Sequence, residues 1–448
     1  MIKNRVILIL ATVLMGALLY WLSYESLRAE NLKIQLLFGG LFLVYGILVF
    51  LLTKRDWKTT LLDLFIAGMV LRALLIFATP NLSDDFYRFS WDGYLINNGY
   101  NPFEITPADF VAEHPNDEVA KELFEAHSAN FKSGMNSKEY YSIYPTVNQS
   151  IYAFSYWVTG SPNNGNLVVM KIILFLFECF TFFVLIRLLR LLKKAEFLAM
   201  LYWLNPLVIV EFVGNLHFDG IALTFLLFAF YLLKRDKLIR SGAALAAATA
   251  TKLNPLFLAC ISWREMKFGK LLKWWISAGL ISILLLSFVL NFENLGNFLN
   301  SFRLYFFVFQ FNSSFISLCA EFGGPKGIEM AMGVLPVFAV LGILSLNLLK
   351  GNWGISEKLM LAYTIYFILG TTVHPWYITI LIPFAILSNW KFPFVWSYVI
   401  VWTYSFYHPD SVDQNGWVML AEYLIVGAFI WWDVRERLKR STDHSTTQ

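Results

Sequence analysis

Asp84 and Asp85 stand side by side where an apolar stretch ends, and Arg88 and Asp92 follow within the next two helical turns. Asp85, Arg88 and Asp92 fall at i, i+3 and i+7, so a helix starting here gathers two carboxylates and a cation on one face. Such a group can take a proton from a hydroxyl while a nearby charge is held. A chain that only spans a membrane has no use for it at a helix exit, whereas an enzyme working on a lipid-borne substrate does. Other residues able to do chemistry are Tyr144 before Pro145, the trio Asn215, His217 and Asp219 in one short segment, Lys252 inside an apolar stretch, and His374-Pro375-Trp376-Tyr377. Cys179, Cys260 and Cys319 lie far apart in apolar surroundings, which points to neither a disulfide framework nor a thiolate metal site. With no metal motif, phosphate loop or dinucleotide fingerprint in the sequence, catalysis without metal or cofactor is expected.

The elements that position these residues are set by composition. Hydrophobic residues make up 58% of the 448, aromatic ones 18% and charged ones only 15%, which is the balance of an integral membrane protein. Apolar windows occur at 5–22, 33–53, 60–79, 168–190, 195–213, 219–233, 271–290, 330–349, 357–373, 375–389, 391–407 and 417–433. They predict an all-α polytopic fold with about twelve crossings, in one domain over 1–448. The first window follows Lys3 and Arg5 without a small-residue cleavage pattern and reads as a retained helix. Lys and Arg cluster at 54–58, 187–194, 234–240, 264–273 and 435–440, which predicts cytoplasmic loops there and both termini inside, as in a bacterial inner membrane. Segment 241–262 has basic loops at both ends and is interrupted by Lys252, Asn254 and Pro255, so it reads as a re-entrant hairpin with Lys252 at its tip.

Segment 80–166 then falls outside the membrane. It holds eleven acids (Asp84, Asp85, Asp92, Glu104, Asp109, Glu113, Asp117, Glu118, Glu122, Glu125 and Glu139) against the four bases Arg88, Lys121, Lys132 and Lys138, which excludes a nucleic-acid partner. Tyr87, Trp91, Tyr94 and Leu95 recur as the stripe of an amphipathic helix on the membrane interface, capped by Ser83 or Asp84 and stopped by Gly99 and Pro102. A second, more polar helix is expected over 117–130, and Tyr140, Tyr141 and Tyr144 return the chain to the bilayer.

Each residue also has a plain structural use. Asp84 can cap the helix, Asp85 can pair with Arg88, and Asp92 can be a solvated or paired charge. His374 can be a boundary residue, Asp219 alone a helix cap, and Trp376 and Tyr377 interface anchors. Arg72 and Glu178, both inside crossings, are expected to form a buried scaffold pair.

The string Asp85-Phe86-Tyr87-Arg88-Phe89-Ser90-Trp91-Asp92 with Gly99 and Asn101-Pro102-Phe103 resembles the first outer loop of GT-C membrane glycosyltransferases that use polyprenyl-phosphate sugars. It is most similar to the mannosyltransferases that begin glycosylphosphatidylinositol mannosylation and to bacterial enzymes of lipoglycan synthesis. Further blocks agree in order: Tyr144-Pro145, Asn205-Pro206-Leu207, Gly214-Asn215-Leu216-His217-Phe218-Asp219, Lys252-Leu253-Asn254-Pro255 and His374-Pro375-Trp376-Tyr377. In the anchor-synthesis pattern the two acids are separated by one residue, while here they are adjacent, so Asp85 and Asp84 both stand as candidates for the base.

The resemblance implies a GT-C fold and transfer of a hexosyl, by preference mannosyl, residue from a polyprenyl phosphate to a lipid, glycan or protein of the cell envelope, with inversion. Asp85 is then the general base, with Arg88, Lys252 and His374 toward the donor phosphate. Asp92, Tyr144, Asn215, His217, Asp219 and Trp376 are toward sugar or acceptor. Two other classes fit parts of the sequence. A GT-C transferase of arabinose or aminoarabinose shares the same blocks. A transporter or lipid flippase also uses buried charges and a broken hairpin, but repeat symmetry between its halves is expected and none is seen.

Overall fold

The computed structural model describes residues 2–53, 60–132, 134–161, 164–307, 309–349, 353–408 and 411–445; the basic cluster Lys54, Arg55 and Lys58 lies outside the described residues. Apolar runs free of internal breakers become the long helices α1 (Ile2–Tyr24) and α2 (Asn31–Leu52), and the shorter α3 (Leu61–Ala73) leads into segment 80–166. That segment forms α4 (Asp85–Asn97), α5 (Pro107–Glu113), α6 (Glu118–Glu125) and α7 (Thr146–Thr159). The chain continues through α8 (Asn164–Leu191), the short α9 (Met200–Trp203) and α10 (Pro206–Ile209), and a π-helical turn at Val210–Gly214. Next come α11 (Asp219–Lys234), α12 (Leu238–Thr249), α13 (Phe257–Ile261), α14 (Phe268–Leu286) and α15 (Leu295–Phe307). The last third holds α16 (Ser314–Ser345), α17 (Ile355–Leu369), α18 (Pro375–Ile378), α19 (Leu381–Ser388), α20 (Phe392–Val399) and α21 (Gly416–Ser445).

Each of the twelve apolar windows is helical, but they differ in length. Among the described residues six helices are long and apolar enough to cross a bilayer, and a seventh span arises if the pair Glu196–Trp203 and Pro206–Gly214, bent by 60°, is one crossing. The other windows are shorter or broken: α3 has 13 residues, about 20 Å of helix, and window 375–389 is split between α18 and α19. All-helical architecture with several spans is the polytopic fold the composition requires.

Segment 241–262 breaks as its sequence demands. Ala250 caps α12 and Asn254-Pro255-Leu256 form a 3-10 turn before α13, which leaves Lys252 at the break. α12 packs between α11 and α14.

The interfacial expectation for α4 is corrected. Every residue from Phe86 to Leu95 is buried, including those opposite the aromatic stripe. The cause is coverage: α7, α6 and α8 pack around it, and Phe86, Trp91, Phe110, Leu123, Tyr152 and Phe218 join a second apolar core separate from that of the spans. Gly93 permits the approach of α7, because a Cβ there would meet the Tyr152 carbonyl at 2.5 Å. Gly99, at φ +84°, ends the helix in the left-handed region as its position predicts. The polar helix expected at 117–130 is shorter, with Asp117 capping it through Ala120 N.

Candidate functional site

Three chain segments reach one place because side chains tie their backbones together. Lys171, buried in α8, donates to the carbonyls of Leu75 (3.0 Å), Ala78 (2.5 Å) and Gly214 (2.7 Å), joining the exit of α3 to the π-turn. Asn81 donates to Leu22 O and Ser26 O at the end of α1, and Leu82 N donates to Asn215 Oδ1 at 3.3 Å. Asn215 is thereby a structural clasp that also donates to Glu211. The orphan carbonyls at helix ends are satisfied in this way, so the first turn of α4 is fixed beside residues 215–219.

Asp85 opens α4, and among the described residues no hydrogen bond to its carboxylate is seen. Burial raises its pKa to about 6; His217 opposes the rise, Asp84 adds to it, and Lys252 and Arg28 oppose it. Asp84 sits at the N-cap position without making the cap bond; Asn136 Nδ2 donates to it at 3.1 Å instead. Burial raises its pKa too, against the charge of Arg28 and the bond from Asn136. Two neighbouring acids therefore differ: Asp84 has a hydrogen-bond donor and Asp85 has none.

Lys252 comes up from the break after α12. Its Nζ lies 2.5 Å from Asp219 Oδ1 at the start of α11 and 3.9 Å from the centre of the Tyr377 ring. With 28% of its side chain exposed it is neither solvated nor sealed. An ammonium has three donors, and Asp219 occupies one.

Beside them stands a stack of three parallel rings. His217 lies 3.7 Å from Trp376, and His374 lies 4.2 Å from the same indole, with interplanar angles of 12° and 5°. Both faces of Trp376 are thus covered, which leaves neither open to stack on a pyranose. Phe311 stacks on His374 at 4.5 Å, held there by Phe311 N to Thr371 O and Val373 N to Phe311 O. Burial drives the His374 pKa well below 6.5, with His217, Lys252 and Arg28 adding to the effect. His374 is accordingly a neutral imidazole, able to offer a hydrogen bond to a phosphate but not a charge. Glu211, buried in the π-turn, receives the Tyr404 hydroxyl and lies 3.3 Å from His217 Nε2 outside hydrogen-bonding alignment.

The expected shared face of Asp85 and Arg88 divides. Arg88 Nε donates to Asp92 at 2.6 Å and its Nη1 to the carbonyls of Tyr140 (2.7 Å) and Ser137 (3.2 Å). Asp92, fully buried, also receives Ser142 Oγ at 2.6 Å and Gln149 Nε2 at 2.8 Å. These bonds fasten residues 137–149 to α4 and engage the Asp92 carboxylate with three donors. Tyr144 packs edge-on against Phe89 and Tyr152, and burial together with the charge of Asp85 pushes its hydroxyl pKa well up. The Arg72–Glu178 pair forms as expected at 2.9 Å, fully buried, with Tyr202 donating to Glu178.

Asp84, Asp85, Tyr144, His217, Asp219, Lys252, His374 and Trp376 are thus close enough to share charges or ring contacts, while Arg88, Asp92 and Asn215 spend most of their polar atoms on the scaffold, the Arg88 Nη2 staying buried without a partner. Sequence reasoning missed Glu211, Lys171 and Arg28. The first two carried a signal, being charges inside apolar windows. Arg28 carried a weaker one, as a base in the short turn between the first two windows.

Residues 6–265 match the model of the MptA_B family, described as alpha-(1->6)-mannopyranosyltransferase, N-terminal domain. No curated protein matches the chain. The match covers more than half of the 448 residues and takes in α4, the 215–219 segment and Lys252, and the chain belongs to this family. It is a glycosyltransferase of the mannosyl class with the helices of a multi-pass membrane protein, which removes the transporter reading.

Proposed function

We propose that this family member transfers mannose from a polyprenyl-phosphate donor to a glycan at the extracytoplasmic face, with inversion, and that Asp85 is the general base. The observation that carries the proposal is a half-buried carboxylate without a hydrogen-bond donor, its pKa near 6, within the charge range of Lys252 and His217. A pKa just below neutral leaves the group ionised yet basic enough to accept a proton in the transition state.

In this mechanism the acceptor hydroxyl oxygen attacks the anomeric carbon from the side opposite the phosphate. Asp85 takes the hydroxyl proton as the new C–O bond forms, and the bond from the anomeric carbon to phosphate breaks. Polyprenyl phosphate leaves with the electron pair, its charge met by Lys252 and by a hydrogen bond from His374. A β-linked donor gives an α-mannoside. The family description supports an α-(1→6) product, so the attacking oxygen is the primary hydroxyl of a mannose in the acceptor. Asp219 and the Tyr377 ring orient Lys252. Segment 241–262 re-enters the membrane from the cytoplasmic side and carries Lys252 up to the acid, with both termini inside.

The test is purified protein with radiolabelled polyprenyl-phosphate mannose and an α-(1→6)-mannan acceptor, comparing wild type with Asp85→Asn and Lys252→Ala. Loss of about 10² to 10⁴ in transfer by Asp85→Asn is expected for removal of a general base. Undiminished transfer by Asp85→Asn moves the base elsewhere. Transfer from an arabinosyl donor with none from the mannosyl lipid overturns the donor assignment.

A further inference from the structure

Arg28 lies in the turn between α1 and α2, far in sequence from every other candidate. Its guanidinium sits 3.4 Å from the centre of the Tyr407 ring and 5.1 Å from that of Phe131. Its backbone N–H donates to Asn130 Oδ1 at 2.6 Å, which fixes the turn against the outer segment. Its Nε is buried without a partner, and no carboxylate among the described residues lies within 4.0 Å of the group. Its charge is nonetheless felt at Asp84, Asp85 and His374, which puts it within electrostatic reach of the acid pair. The Tyr407 hydroxyl also bonds the Arg28 side chain, yet a half-buried guanidinium whose Nε is sealed without a partner is stabilised when an anion completes it.

We propose that Arg28, together with Lys252, binds the phosphate of the lipid-linked donor, a role that rests on the polyprenyl-phosphate reading above. The planar fork matches two phosphate oxygens at once, which an ammonium does not. The two other cations at hand each bond a carboxylate, Arg88 that of Asp92 with its Nη2 left buried and unpartnered, and Lys252 that of Asp219, whereas Arg28 has none within 4.0 Å among the described residues. Stacking on Tyr407 keeps the group oriented with no carboxylate to compete for the phosphate.

The test measures binding of a long-chain polyprenyl monophosphate and of the uncharged polyprenol to the full chain in lipid nanodiscs. Wild type, Arg28→Gln, Arg28→Lys and Tyr407→Phe are compared, with unfolding midpoints as the check on folding. Wild type is expected to bind the phosphate form at least about tenfold tighter than the alcohol, Arg28→Gln to lose about tenfold of that preference, and Arg28→Lys to lose about threefold. Tyr407→Phe, which keeps the ring and loses the hydroxyl that bonds Arg28, is expected to lower the ratio by less than Arg28→Gln does. A folded Arg28→Gln protein with the wild-type ratio overturns the assignment of Arg28 and leaves the donor reading standing. If Arg28→Gln does not fold, an unchanged ratio in Arg28→Lys overturns it instead. A wild-type protein that does not distinguish phosphate from alcohol overturns the donor reading and the role of Arg28 with it.

Discussion

The acid limb of the pH–rate profile is set by Asp85, and its position can be worked from the surroundings of that carboxylate. With a pKa of about 6, Asp85 is about 97% ionised at pH 7.5, half ionised at pH 6 and about 9% ionised at pH 5. If the ionised form is the base, kcat/KM falls about tenfold between pH 7.5 and pH 5. A carboxylate at its ordinary pKa of about 3.9 would lose less than about 10% over the same range. The donor is a phosphodiester and does not titrate in this window, so the limb reports the enzyme. Two substitutions move it in opposite directions. Asp84→Asn removes a charge that raises the Asp85 pKa, and the limb moves to lower pH. Lys252→Ala removes one that lowers it, and the limb moves to higher pH, whatever happens to the height of the profile. Each shift is expected to be about half to one pH unit for a single charge at this range. The assay is kcat/KM for mannose transfer from pH 4.5 to 8 in one ionic strength. A wild-type limb near pH 4, or shifts of the wrong sign in either variant, refutes the reasoning.

Three further outcomes follow from the same contacts. Asp85→Asn is expected to be nearly inactive and yet more stable than wild type by about 1–3 kcal/mol at pH 7.5, because the folded-state pKa of about 6 lies above the unfolded value; the ionised carboxylate destabilises the fold above pH 6, and the gain vanishes below about pH 4. Its thermal unfolding midpoint at pH 7.5 and pH 4.5 checks this, and an equal gain at both contradicts it. Arg88→Ala leaves Asp92 buried with its charge unmatched and is expected to lower stability by about 3–5 kcal/mol, whereas the double change Arg88→Met with Asp92→Leu costs less than the single one; urea unfolding in detergent compares them. Tyr377→Phe keeps the ring under Lys252 and leaves transfer within about twofold, while Tyr377→Ala removes a contact of about 1–2 kcal/mol and raises the donor KM about tenfold.

The membrane class and the chemistry-bearing blocks were legible because each has a local signature: apolar windows for the helices, an acid pair at a helix exit, a lysine in a greasy segment. The burial of α4 was not, since the aromatic stripe of Tyr87, Trp91, Tyr94 and Leu95 describes one face, and only the packing of α6, α7 and α8 against the others decides that the polar face is covered too. The partner of Arg88 was hidden for a related reason. Asp85 and Asp92 both share its helix face, and the choice between them depends on Ser142 and Gln149, which gather around Asp92 from more than forty residues away. The sandwich around Trp376 was hidden as well, because nothing in the sequence says that His217 and His374 close over its two faces. Arg28 left only a faint signal, a lone base in a turn whose stacking partner, Tyr407, comes from the far end of the chain. Local patterns thus pointed to candidate residues, while tertiary contacts decide which of them are left unengaged.

The central claim, that Asp85 removes the acceptor proton, is tested most directly by chemical rescue. Single-turnover transfer from polyprenyl-phosphate mannose is measured with wild type, Asp84→Ala and Asp85→Ala, each with and without added formate, a carboxylate small enough to enter the space left by the side chain. The account expects Asp85→Ala to be slowed by about 10² to 10⁴ and partly restored by formate, with Asp84→Ala much less affected and not rescued. Wild-type rates in Asp85→Ala, or rescue seen for Asp84→Ala alone, would contradict it.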